Sequence, residues 1–127
     1  MLQHPWWRET LLGALETLAD RAYQQQVWIE KHYPPNVQYD DFDRVVHVLF
    51  DDTALADAPE KTIGYILEDE TEMHAVTVVI KLIDAMLKTH GTDLTDEQYL
   101  QTPEWAQVVA VAQTALSVLN KKPVASQ

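Results

Sequence analysis

Apolar residues recur along this chain at helical spacing, and glycine and proline fall between the recurring stretches. After Pro5, the residues Trp7, Leu11, Leu15, Leu18 and Ala22 follow at intervals of four, four, three and four, one face of a helix. Proline suits that opening because its missing N–H has no helical partner in a first turn. Apolar content continues through Val27, Trp28 and Ile29 toward Tyr33. Residues 5–32 read as one helix or as two broken near Asp20, which can cap a second. Pro34-Pro35-Asn36 ends the stretch. Asp40 or Asp41 then stands as an N-cap before the stripe Phe42, Val45, Val46, Leu49 and Phe50, closed by Asp51-Asp52-Thr53. Asp57-Ala58-Pro59-Glu60 has capping-box spacing, which predicts a short helix through Ile63 to Leu67 with Gly64 inside it.

The region from Glu70 to Thr89 is the clearest element. Its polar positions His74, Thr77, Lys81, Asp84 and Lys88 recur at intervals of three and four, and the residues between are apolar or small. One narrow wet stripe on an apolar cylinder predicts a central helix touched by neighbours on most sides. His90-Gly91 is a glycine stop. Thr95-Asp96-Glu97-Gln98 matches a capping box for a short helix. Thr102-Pro103-Glu104 opens a last helix that buries Trp105, Val108, Val109, Ala112, Leu116 and Leu119. Lys121-Lys122-Pro123 terminates it, and residues 122–127 read as a loose tail. The expectation is an all-α protein: a compact single-domain bundle, 1–127, of five to seven helices around a central helix at about 70–89. With 127 residues the chain can bury about two-thirds of its unfolded surface.

Charge adds what periodicity does not. The formal net charge is −11. Residues 40–72 hold eleven acids and two bases, net −9, and the stretches on either side hold −1 each. Such a field attracts a basic partner and repels nucleic acid and anionic lipid. Part of the cluster also has a structural use, since acids at a helix start suit its dipole. Asp51 and Asp52 sit instead at a helix end, where acids are disfavoured, which hints at another use. Cysteine is absent, so disulfides and thiolate chemistry are excluded, as fits a reducing cytoplasm. No basic stretch followed by an apolar run opens the chain, so no signal peptide is expected. The most apolar region, 75–87, is too short and too charged to span a bilayer.

Chemistry-bearing motifs are few. There is no nucleophile elbow, glycine-rich phosphate loop or nucleotide fingerprint, and no cofactor is expected. Asp43, His47 and Asp51 lie at i, i+4 and i+8, a row that can hold a cation or simply be a solvated face. Asp40-x-x-Asp43 and Asp69-x-x-Glu72 are two carboxylate pairs that could bind Mg²⁺ and activate water against a triphosphate. They vaguely resemble the pairs of all-helical nucleoside triphosphate pyrophosphatases, which carry theirs well inside long helices. Helix-entrance acids explain them more simply. Trp7 and Trp105 sit on apolar faces and read as core. Trp6, adjacent to Trp7, must point elsewhere and is expected to be exposed or to fold over the end of the bundle.

Pro5-Trp6-Trp7-Arg8, Ala14-Leu15, Leu18-Ala19-Asp20, Val27-Trp28, Leu49-Phe50-Asp51-Asp52-Thr53, Ile63-Gly64 and Pro103-Glu104-Trp105 together resemble a family of small helical bacterial proteins, mostly uncharacterised. The resemblance covers roughly residues 5–119. Proteins of that size and character include immunity proteins of contact-dependent growth inhibition and other polymorphic toxin systems. The resemblance implies a cytoplasmic, non-enzymatic protein that neutralises a cognate toxin, and it carries over no catalytic motif. A nuclease toxin is basic because it holds a polyanion, and carboxylates placed like phosphates can cover that surface. Asp43, His47, Asp51 and Asp52 are the first candidate contacts, followed by Glu68 and Glu70. A Mg²⁺-dependent nucleotide phosphohydrolase built on Asp40, Asp43, Asp69 and Glu72 stands as the alternative, and a non-catalytic scaffold as a third.

Overall fold

The computed structural model describes residues 3, 5–35, 37, 40–52 and 55–120, without the side chains of Asp51 and Asp52. Among these residues the fold is all-helical: α1 (Pro5–Leu18), α2 (Arg21–Tyr23), α3 (Phe42–His47), α4 (Glu70–His90), α5 (Asp96–Leu100) and α6 (Trp105–Asn120). Two of the short helices continue as π-helical turns, α2 through Gln24–Ile29 and α3 through Val48–Asp52. Asn36, Thr53, the Lys121-Lys122-Pro123 stop and the tail at 122–127 lie outside the described residues.

The first long stretch is two helices. α1 stops at Leu18, and the Asp20 carboxylate accepts the Tyr23 N–H at 3.0 Å to start α2. The break puts Ala22 on the surface, off the face shared by Leu11, Leu15 and Leu18. Gln24, fully buried, repairs the broken end. Its amide donates to the carbonyls of Thr17 (2.8 Å) and Leu18 (2.9 Å), and its Oε1 accepts the Trp105 indole N–H at 2.9 Å. One glutamine thus satisfies the loose carbonyls of α1 and the polar atom of a buried tryptophan. The π-helical turn ends at Lys31 in the left-handed region (φ 59°), and the His32 N–H reaches back to the Gln26 carbonyl at 2.9 Å. Glycine is the usual residue at such an end.

Asp41 caps α3, Asp69 caps α4, and Thr95 with Gln98 forms the expected capping box at α5. Two expected starts differ. Ala58, not Asp57, precedes the Pro59–Thr62 turn, which is 3-10, and 63–67 is a bridged turn instead of a helix. Gly64 at φ 91° breaks the helical path there. The Thr102 hydroxyl donates back to the Tyr99 carbonyl at 2.8 Å instead of capping, and α6 begins at Trp105.

α4, α6 and α1 form the packed body, α6 lying between the other two. α4 buries Val76, Val79, Ile80, Ile83 and Met86 along one side, and Val78 is exposed, so its wet face is wider than the polar stripe alone suggests. On α6, Ala115 is buried where Leu116 was expected to be, and Leu116 is half-buried. The smaller elements close one end around Phe42, which meets Trp105 edge-on (centroids 5.3 Å) and Tyr99 at 5.1 Å, with Trp28 against Trp105 at 6.1 Å. No described helix is long and apolar enough to cross a membrane.

Candidate acidic binding faces

Of the six candidate contact residues, Asp43 and His47 lie at one end of the bundle and Glu68 and Glu70 at the other. Asp43 and His47 stand on the exposed side of α3, one turn apart, with Nε2 and Oδ2 at 3.3 Å. The start of α3 rests beside the C-terminal part of α4, because Phe42, Asp43, Val46 and Leu87 line one cleft of about 210 Å³. Asp51 and Asp52 close the π-helical turn after α3, and their side chains lie outside the described residues. Glu68 and Glu70 are exposed at the opposite, N-terminal end of α4. At 1.5 Å per residue that helix separates the two groups by about 25 Å. The middle segment therefore does not gather into one patch.

Several of its acids are used inside the fold. Asp40 is 2% exposed and accepts the Tyr23 hydroxyl at 2.8 Å, the Trp28 indole N–H at 3.2 Å and the Arg44 Nε–H. Burial, then the bond to Asp40, pushes the Tyr23 hydroxyl up to about 12. Glu72 is fully buried and holds Arg8 by two parallel bonds, at 2.8 and 2.9 Å. Arg8 also donates to the carbonyls of Ile66 (3.0 Å) and Leu119 (3.3 Å), so the PWWR opening locks α1 to α4, α6 and the 63–67 turn. The four carboxylates of the magnesium alternative are thus divided. Asp40 and Glu72 face arginines, Asp69 caps α4, and Asp43 pairs with His47. Among the described residues no three of His, Cys, Asp or Glu are placed to hold a metal ion.

Folding builds another acidic face, from two remote segments. The Phe42 N–H donates to Asp96 Oδ2 at 3.1 Å, which joins the start of α3 to the start of α5. A cleft of about 360 Å³ opens beside this joint, walled by Trp28 and Ile29, with Asp41, Asp96 and Glu97 supplying negative charge and Lys31 the positive. Asp96 also borders the smaller cleft. Burial first, then the nearby charges of Asp41 and Asp43, hold its carboxyl above the ordinary range. The Phe42 N–H and Lys31 pull it the other way. The face suits a cationic group, which would ease the repulsion among these carboxylates. Asp96 and Glu97 carried no functional signal in sequence, where their capping box explained them completely.

A family model described as a domain of unknown function, DUF7945, matches residues 2–127. The chain belongs to this family. The DUF7945 match spans all six helices, both acidic ends and the Arg8–Glu72 lock. No curated protein and no solved structure matches the chain.

Proposed function

We propose that this DUF7945 chain is a binding protein that neutralises a cognate basic protein, a toxin domain, in the cytoplasm of the cell that makes it. The resemblance to immunity proteins supports the choice of a toxin, and the net charge of −11 supports a basic one. The carrying observation is Asp96, kept partly buried beside Asp41 and Asp43 on the wall of both clefts, where burial opposes its charge. Phe42 needs only a hydrogen-bond acceptor, and the start of α5 offsets only part of the cost of a charge there. A cation brought by a partner makes that charge favourable. Long-range attraction speeds the encounter, and a few well-packed groups set the lifetime of the complex.

The test is co-expression with the toxin domain encoded beside this chain's own gene, reading growth and, with purified proteins, affinity against salt. Restored growth and an affinity that falls steeply with salt are expected, with further weakening in Asp96→Asn/Glu97→Gln. A missing toxin gene, absent rescue or salt-insensitive binding removes the proposal. Turnover of a nucleotide panel with Mg²⁺, abolished by Asp43→Asn, would favour the phosphohydrolase in its place.

A further inference from the structure

The end of the bundle away from the Asp96 cleft presents aromatic surface of an unusual kind. Trp6 is 63% exposed and Tyr65 42%, the two most exposed aromatic side chains among the large apolar residues described. Both are held by rigid neighbours. The Trp6 ring stands edge-on to Trp7, with centroids at 4.6 Å and planes at 71°, and Trp7 packs against the core. Tyr65 sits on a turn in which the Thr62 carbonyl accepts the N–H groups of Tyr65, Ile66 and Leu67, and the Gly64 N–H donates to Leu67 at 2.7 Å. The first turn of α1 is tied to that turn. The Gln3 N–H meets the Gly64 carbonyl at 3.2 Å, and Arg8 donates to the Ile66 carbonyl at 3.0 Å.

The surrounding charge is mostly negative. Glu68 and Asp69 lie close enough to act on the Arg8 guanidinium, whose own charge is taken up by buried Glu72. Glu9 and Glu70 are exposed on the adjoining helix starts. Among the described residues of 5–9 and 57–72, Lys61 is the exposed base.

We propose that Trp6 and Tyr65 are the anchors of a second docking surface for the basic partner, at the end of the bundle opposite the Asp96 cleft, and that the partner brings arginine side chains to them. This inference rests on the binding function proposed above and names its contact residues and the partner's chemistry. Large aromatic rings turn about only two side-chain torsions and lose little freedom on binding. A guanidinium stacks on an aromatic face and pairs with a carboxylate at its edge, whereas an ammonium does the first less well. A rim of carboxylates around exposed aromatic rings therefore favours arginine. A second copy of this chain is a poor occupant, since it would bring acids against acids.

The full chain, labelled with ¹⁵N, is titrated with a hexa-arginine peptide, with hexa-lysine and hexa-glutamate for comparison, at low and high salt. The Trp6 indole signal is assigned from Trp6→Phe. The expected result is saturable shifts at the Trp6 indole and at the amides of Tyr65 and Glu68, tighter for arginine than lysine, and weakened by salt. Trp6→Ala and Tyr65→Ala each loosen binding about two- to fivefold, and spectra elsewhere stay as in the wild type. Shifts confined to Asp43, Asp96 and Glu97, or spread evenly over exposed acids, overturn the anchor assignment and leave the basic-partner function standing. Absence of shifts with either basic peptide at low salt overturns both. The wild-type map decides the matter even should a variant fold poorly.

Discussion

Arg8→Met leaves the Glu72 carboxylate fully buried and without its counter-charge. The lost guanidinium made two bonds to Glu72 and one each to the carbonyls of Ile66 and Leu119. Methionine fills much of the same channel, so the loss is chiefly electrostatic. Breaking a buried pair from one side costs about 3–5 kcal/mol, far more than the pair contributes over an apolar replacement. Glu72 keeps the Glu68 N–H as a donor at 2.8 Å, which softens the loss toward the lower end. With an unfolding entropy near 2.1 cal/mol/K per residue, each kcal/mol moves the midpoint of this 127-residue chain by about 4 °C, so Tm should fall by about 11–19 °C. Glu72→Met is milder, because Arg8 keeps its two carbonyl acceptors and reaches some solvent. The double variant, apolar on both sides, should be no worse than Arg8→Met alone. Urea unfolding followed by tryptophan fluorescence and circular dichroism gives all three values, and a double-mutant cycle gives the coupling. A cost below about 1 kcal/mol for Arg8→Met, or single costs that add in the double variant, would refute the lock as a coupled buried pair.

Asp96→Asn keeps an acceptor for the Phe42 N–H and removes a charge that burial opposes. The native carboxyl titrates above its ordinary 3.8, so the folded state holds a proton that the unfolded state has released, and stability falls as pH rises through that window. The variant's advantage should therefore grow from pH 4 toward neutrality, measured by urea midpoints across pH, and a flat difference would contradict the burial of this carboxyl. Tyr23 should ionise at about 12 in an ultraviolet difference titration, and Tyr23→Phe should remove that step. Its bond to Asp40 supports the fold fully below pH 10 and is lost as pH rises through about 12. Gln24→Leu strands the Trp105 indole N–H and takes a donor from each of two α1 carbonyls, a loss of about 2–4 kcal/mol in chemical denaturation. Gly64→Ala meets no atom within 4 Å, so its loss, about 1–2 kcal/mol by the same measurement, is backbone strain at φ 91° alone.

Local signals in the sequence were enough for the helical class, for the capping box at Thr95, for Asp20 and for Asp40 or Asp41 as candidate caps, and for the core positions of Leu11, Leu15, Val79, Ile83 and Trp105. These depend on residues within a turn or two of one another, where spacing and side-chain chemistry suffice. Tertiary structure alone decided which acids are available to a partner. Asp40 and Glu72 are as acidic in sequence as Asp43 and Glu70, yet Arg8 folds against Glu72, and Tyr23 and Trp28 enclose Asp40 beside its near neighbour Arg44. Asp43 and Glu68, close in number, stand at opposite ends of the bundle because α4 lies along the distance between them. Asp96 reads as a helix-start acid until the Phe42 N–H, 54 residues earlier in the chain, is brought against it. Charge acts through space, and a linear pattern records only its order along the chain. The anionic faces of this molecule were therefore set by helix packing.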